Sequence, residues 1–188
     1  VVRREEEGIR RYVHLGTGNY NDVTARLYTD MAIMTSDERI GEDASAFFNM
    51  LTGYSDTPHL HQLICAPRML RERLTELIDR EARNAAEGRP ASITAKMNSL
   101  LDPDIIRSLY AASCAGVKIR LLVRGICCLR PGIKGATEHI EASSIVCRFR
   151  EHSRLFRFHN GGQPAVHPTR PDPQTPHLER PLDQPSPA

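Results

Sequence analysis

Between Pro67 and Val123 the chain passes twice from helical to strand periodicity, and this alternation narrows its possible folds more than any other feature. From Pro67, apolar residues recur along one helical stripe at Leu70, Leu74, Leu77, Ile78, Ala82 and Ala85, until Gly88 and Pro90 end the run. The charges Arg71, Glu72, Arg73, Arg80, Glu81 and Arg83 read as that helix's solvated face. Ala91 to Asn98 then reads as a strand. Asp102-Pro103 opens a second helix with Ile105, Ile106, Leu109, Tyr110 and Ala112 inward and Gly116 at its stop. Val117 to Val123 is a nearly continuous apolar strand. Strands joined through a helix run parallel, so the expectation is an α/β arrangement with a parallel sheet covered on both faces.

Upstream, Ile9 to Leu15 combines β-branched and aromatic residues and reads as a strand that ends at the loop Gly16-Thr17-Gly18-Asn19-Tyr20-Asn21. Glycines and asparagines in a turn can adopt left-handed conformations that aim successive N–H groups at one anion; a plain reversal of the chain is their commoner use. Asn21 is placed to cap a short helix from Asp22 to Thr29, with Arg26 and Tyr28 behind the loop. Phe47, Phe48 and Leu51 mark the core face of a helix from Ile40 to Leu51, and Gly53 marks its stop. The turn-rich cluster Tyr54-Ser55-Asp56-Thr57-Pro58 precedes an apolar strand from Leu60 to Ala66, which puts a domain boundary near residue 58. The resulting division is 1–58, 59–162 and 163–188. The last segment holds 8 of the 13 prolines and almost no large apolar residue, so it is expected to be disordered.

Charge and cysteine content restrict the function. Lys and Arg total 25 against 23 Asp and Glu, a balance without the basic footprint of a nucleic-acid-binding domain, so an anion site has to be local. Five cysteines form no disulfide framework and suit a reducing compartment. No apolar run approaches the ~20 residues that span a bilayer, and the start Val1-Val2-Arg3-Arg4, without methionine, reads as a cut from a longer chain. His59, His61 and Cys65 have no second cluster at zinc spacing to complete a metal site.

Ligands of parallel sheets gather outside the carboxyl ends of the strands. Lys96 and Asn98 end one strand, and Arg124 follows the next directly, before Gly125. An arginine there can grip a phosphate with two bonds or close the sheet edge as an ion pair. Ser143 to Phe149 and Arg154 to Phe158 read as short strands around Glu151-His152-Ser153-Arg154, where His152 can give a proton near neutral pH or hydrogen-bond a phosphate. His14, at the end of the first strand, is either a phosphate neighbour or simply half-exposed.

Several of these runs resemble, in order, the polyphosphate kinases of the first family: YVHLGTGNYN…TARLYTD (12–30), ITAKMNSL (93–100), LYAAS (109–113), VRGICCLRPG (123–132), and SIV through EHSR (144–154). The resemblance covers roughly residues 1 to 162. It implies two phospholipase-D-like α/β domains, the first incomplete; the Pro-rich tail departs from the family, which would continue there with a further strand, a polar segment and terminal helices. It also implies an ATP:polyphosphate phosphotransferase that works reversibly through a phosphohistidine. In the matching positions Tyr28, Arg124 and His152 bind ATP and its phosphates, His152 doubles as a candidate general acid, and His14 is an accessory histidine. The family's phosphorylated histidine lies in a His-x-Lys element, and no His-x-Lys occurs in this chain. That places the nucleophile upstream, makes the isolated chain inactive, and disfavours a phospholipase-D-like diesterase. The resemblance further implies ATP, ADP and inorganic polyphosphate as partners, Mg2+ held mostly by residues outside this chain, and a homo-oligomeric parent enzyme. Its expected location is cytoplasmic, with room for membrane association in a larger complex. The alternative is a non-catalytic nucleotide- or polyphosphate-binding or oligomerisation module.

Overall fold

The computed structural model describes residues 1–53, 59–66, 69–145, 150–151 and 153–169. In chain order it forms β1 (Val2–Glu5), β2 (Gly8–Arg11), β3 (Val13–Gly16), α1 (Asp22–Ala25), β4 (Tyr28–Thr29), β5 (Ala32–Thr35) and α2 (Glu38–Leu51). There follow α3 (Leu70–Ala86), β6 (Ser92–Met97), α4 (Pro103–Cys114), β7 (Lys118–Val123), β8 (Ile140–Ser143), β9 (Arg150–Glu151), β10 (Arg154–Phe158) and β11 (Ala165–Thr169). Two units emerge, Val1–Gly16 with Met31–Cys65, and Thr17–Asp30 with Ala66–Ala188. The segment 17–30, which the sequence assigns to the first domain, thus clusters with the later residues.

In the first unit β1 and β2 form an antiparallel hairpin closed at Glu5 opposite Gly8. Gly8 sits at φ +127°, a conformation that a side chain resists. The strand expected over 9–15 is broken at Tyr12, and its second half, β3, pairs antiparallel with β5. Asp37 caps α2 by accepting from the N–H of Ile40 at 3.1 Å. The face of α2 that is buried carries Gly41 and Asp43, not the expected Phe47, Phe48 and Leu51; Phe48 is 63% exposed. Gly41 is pressed against Arg11, where a Cβ would meet the arginine Cβ at 2.9 Å. The strand expected from Leu60 to Ala66 is also not formed. The N–H groups of His61, Gln62 and Leu63 bond instead to the buried Asp43 carboxylate at 2.8, 2.6 and 2.8 Å, which takes them away from any ladder.

The second unit is built on a five-stranded sheet in the order β11-β10-β6-β7-β8. β6 and β7, joined through α4, are parallel, β8 is parallel to β7 after a loop, and β10 and β11 join antiparallel, so the sheet is mixed. Burial alternates along the strands. Ile93, Ala95, Met97, Ile119, Leu121, Phe156 and Phe158 are buried, whereas Thr94, Lys118, Arg120 and Arg157 are exposed. The buried face meets Leu74 and Ile78 of α3 and Ile105 and Leu109 of α4. Along the other face Thr94, Lys118, Arg120 and Arg157 are exposed, whereas Lys96, Leu122 and Leu155 are half-buried and Ser153 is buried. Lys118 and Arg120 are the outward half of a period-2 pattern inside a strand that reads as apolar.

Polar groups bind these layers together. Asp102 caps α4 through the N–H groups of Asp104 and Ile105, both at 3.0 Å, and takes the Arg71 guanidinium at 2.8 Å on its other oxygen. Gly116, at φ +94°, ends that helix as expected. Glu81, read from the sequence as solvated, is wholly buried and accepts from the N–H of Ser92 at 3.2 Å and of Asn160 at 2.8 Å. It joins α3 to the start of β6 and to the turn after β10. The expectation of disorder from residue 163 is corrected over Ala165–Thr169, where β11 pairs with β10. Pro168 is tolerated because β11 is an edge strand. The rest of the Pro-rich segment, 170–188, lies outside the described residues. Among the described residues no helix is long and apolar enough to cross a membrane.

Candidate functional site

β6 and β7 run in parallel register from Ser92 opposite Lys118 to Met97 opposite Val123, so their carboxyl ends finish together. The ladder continues as the Arg124 N–H donates to the Met97 carbonyl at 3.2 Å, and the Gly125 N–H then donates to the Asn98 carbonyl at 2.7 Å. Gly125 permits this approach, because a Cβ there would sit 3.0 Å from the Asn98 oxygen and 3.3 Å from Ser99 Oγ. The Arg124 carbonyl accepts from Ser144 Oγ at 3.3 Å. Strand alternation, running outward through Lys118, Arg120 and Leu122, puts the half-buried Arg124 on the face opposite the helices. The same alternation puts Lys96 there with Thr94.

β10 approaches from the opposite direction, with Leu155 opposite Lys96. Ser153, two residues earlier, falls on the face of Leu155 and Lys96, and its Oγ accepts from Lys96 Nζ at 2.8 Å. This diagonal contact is the usual reach of a long side chain across an antiparallel pair. The preceding strand, β9, pairs in parallel with β4, which sets Tyr28 opposite Arg150 and Thr29 opposite Glu151. Tyr28 is half-buried. The fold therefore delivers Tyr28 to the strand that leads into Ser153, and Ser153 to Lys96, beside Arg124. His152 lies outside the described residues.

His14 belongs to the other unit. It is exposed on β3 opposite Met34, beside a groove of about 340 Å³ lined by Val1, Tyr12, Val13, His14, Met34, Thr35 and Ser36. The glycine loop after it has a different construction from the expected anion cradle. Neither Gly16 nor Gly18 has positive φ. Gly18 is instead a point of close approach, with the Asp30 carboxylate where its Cβ would be, and Thr17 Oγ1 donates to Asp30 Oδ1 at 3.2 Å. An acidic group thus fills the turn from within. Asn21 is the expected cap, with Oδ1 accepting from Val23 and Thr24 N–H at 3.0 Å each, but the helix is a single turn and Arg26 is exposed beyond it.

Asp30 and Ser153 are the residues that sequence reasoning missed. Ser153 was visible only as the neighbour of His152, and nothing local links it to a lysine 57 positions earlier. Among the described residues no group of three or more His, Cys, Asp or Glu is placed to hold a metal ion. His59 and His61 meet only as rings, edge to face at 6.1 Å. Among the described residues the donors at the sheet edge are ammonium, guanidinium, amide and hydroxyl groups. They suit an anion and do not fit Mg2+, which takes oxygen acceptors.

Comparison with known proteins agrees with this architecture. Residues 1–57 match the family model described as polyphosphate kinase C-terminal domain 1, and residues 63–186 match that of C-terminal domain 2. The second match runs well past residue 162, so the similarity includes β11 and most of the Pro-rich segment. A polyphosphate kinase of Lactiplantibacillus plantarum is 54% identical over 180 residues, covering 96% of this chain and 25% of that protein. One of Halalkalibacterium halodurans is 52% identical over 183 residues, 97% of this chain and 26% of its own length. The crystal structure of polyphosphate kinase from Porphyromonas gingivalis superposes with a TM-score of 0.80 at 38% identity, over 86% of this chain and 27% of that one. The chain thus spans about a quarter of the length of these relatives. With both C-terminal domain models matched along its length, the chain belongs to the polyphosphate kinase family.

Proposed function

We propose that this chain is the nucleotide- and phosphate-holding C-terminal portion of an ATP:polyphosphate phosphotransferase, built on two phospholipase-D-like domains of which the first is incomplete. The observation that carries the reading is the gathering of Lys96, Arg124, Ser153 and the β4–β9 pair, with Tyr28, around the carboxyl ends of two parallel strands. Phosphoryl transfer is mostly positioning and charge neutralisation, which cationic and neutral donors at a strand end supply. Arg124 takes the nucleotide phosphates with its fork of donors. Tyr28 contacts the nucleotide, and His152 hydrogen-bonds a phosphate and serves as general acid. His14 is an accessory histidine.

In the full reaction the γ-phosphoryl group moves from ATP to a histidine nitrogen as ADP leaves, and then to the terminal oxygen of a polyphosphate chain; the reverse sequence makes ATP. The nucleophile sits in a His-x-Lys element that this chain lacks, so the isolated chain binds without turnover. Mg2+ is given no ligand among the described residues. The substrates on this reading are ATP, ADP and inorganic polyphosphate, and the working form is a homo-oligomeric, cytoplasmic enzyme that can associate with membranes in a larger complex.

Calorimetric titration of the chain with ATP, beside incubation with γ-labelled ATP, tests the proposal. The expected result is saturable, salt-sensitive binding that weakens by about tenfold in Arg124→Gln, the loss of one charge-assisted phosphate contact. No acid-labile phosphohistidine is expected. Absence of both ATP and polyphosphate binding would sink the proposal, and phosphohistidine formation would overturn the inactivity of the isolated chain.

A further inference from the structure

We infer that the exposed, amino-terminal half of the sheet face opposite the helices is a separate anion-binding surface, on which Lys118, Arg120 and Arg157 hold a linear polyphosphate away from the strand ends. The choice of ligand rests on the polyphosphate reading proposed above; the surface itself follows from the sheet register. Thr94 lies opposite Arg157 of β10 on one side and opposite Arg120 of β7 on the other, and Arg120 lies opposite Glu141 of β8. Arg157, Thr94 and Arg120 thus form one row across three strands, with the two arginine backbones about 10 Å apart. Lys118 stands two residues before Arg120 on the same face, about 7 Å away. All four residues are exposed.

Charge selects the ligand of this face. Against the three cations stands one acid of the same row, Glu141, whose Oε2 lies 3.3 Å from Arg120 Nε, with the two side chains 78% and 77% exposed. An ion pair so exposed contributes little and yields to a competing anion. Lys118 and Arg120 are like charges at successive positions of one face, so an anion lying over both relieves their repulsion. Spacing then separates long ligands from short ones. A single phosphate reaches one of these cations, whereas a chain of phosphates follows the row from Arg157 past the Thr94 hydroxyl to Arg120. Toward the carboxyl ends the same face changes character, since Lys96, Leu122 and Leu155 are half-buried. The surface is therefore distinct from the strand-end site. A polyphosphate anchored here while its terminus reacts elsewhere stays bound between transfers, because linked contacts raise its effective concentration.

The test is calorimetric titration of the complete chain with long-chain sodium polyphosphate, ATP and a single-stranded oligonucleotide at several salt concentrations, with a thermal melt for each variant. The double variant Lys118→Gln with Arg157→Gln changes two exposed positions, so its melting temperature should stay within about 2 °C of the parent. It is expected to weaken long-chain polyphosphate binding by about tenfold and to lower the log–log salt slope by about 1.4, about 0.7 for each charge removed. ATP binding should change by less than about twofold. Glu141→Gln removes the competing acid and should tighten polyphosphate binding by about twofold, a gain that no fold defect produces. If the double variant binds polyphosphate with the parent's affinity and salt slope, the inference falls, whatever ATP does. If the oligonucleotide binds as tightly per charge and loses as much in the double variant, the assignment to polyphosphate falls. A parent chain that binds ATP but no polyphosphate overturns this inference and leaves the nucleotide reading in place. Polyphosphate binding that is sensitive to the double variant in a chain that binds no ATP upholds the surface and removes the nucleotide role of Arg124 and Tyr28.

Discussion

At the scale of single residues, two carboxylates do work that their sequence neighbours do not reveal. Asp30 occupies the space where Gly18 would carry a side chain. Gly18→Ala is therefore expected to cost about 1–3 kcal/mol by overpacking. Most of that should return in the double variant with Asp30→Ala, a non-additivity that a urea-denaturation cycle measures. Asp43 is the second case. Burial alone would raise its carboxyl, but the amides of His61, Leu63 and Gln62, aided by the His61 ring charge, outweigh it and hold the group below the ordinary carboxylate range. A lowered folded value means that the stability is present above the unfolded pKa of about 3.9 and is lost as pH falls through the folded value. Asp43→Asn keeps the size but puts an NH2 where one carboxylate oxygen accepted, so at least one of the three N–H donors loses its acceptor. It should destabilise by about 1–3 kcal/mol at neutral pH and flatten the acid limb of unfolding followed by circular dichroism.

At the scale of elements, the ends of α4 and the outer edge of the sheet carry the clearest dependencies. Asp102 is fully buried, caps α4 and pairs with Arg71, whose side chain is 25% exposed. Asp102→Ala removes the cap and the ion pair with Arg71, for an expected loss of about 2 kcal/mol or more, read as a fall in melting temperature. On β11, His167 lies edge-on to Phe158 with ring centroids 6.1 Å apart. Burial, with the Arg73 and Arg80 charges, lowers its pKa, so the folded chain holds the neutral ring. The depressed folded value makes the contribution fully present above the unfolded pKa of about 6.5 and lost as pH falls from there toward the folded value. Urea midpoints should accordingly drop between pH 7.5 and 5.5, and His167→Phe should remove that part of the drop.

At the scale of the whole molecule, β11 decides whether the Pro-rich segment is an appendage or part of the fold. It covers the outer edge of β10, and its His167 lies against Phe158 on the core side. A chain ending at residue 162 should melt at a lower temperature and aggregate more readily, because it presents an unpaired strand edge. Light scattering during a thermal ramp compares the two lengths; equal melting and equal scattering would show β11 to be dispensable.

How much of this was legible follows from the range of the forces involved. The apolar stripe of α3, the Asp102-Pro103 start and Gly116 stop of α4, the Asn21 cap, and the strands around Ala95 and Leu121 are set by residues within a turn or two of each other. The sequence determines these elements, and it also places Arg124 at a strand end with Gly125 behind it. Strand partners are another matter. Nothing near Arg154 says that β10 enters antiparallel beside β6 and so brings Ser153 to Lys96, and nothing near Ala165 says that a proline-bearing segment will cover the edge of β10. Glu81 reads as a surface charge until the N–H groups of Ser92 and Asn160 close on it, 11 and 79 residues away. Local periodicity and capping are short-range energies encoded residue by residue, whereas pairing, burial and the filling of Gly18's space by Asp30 depend on which distant groups meet, and only the tertiary structure decides that.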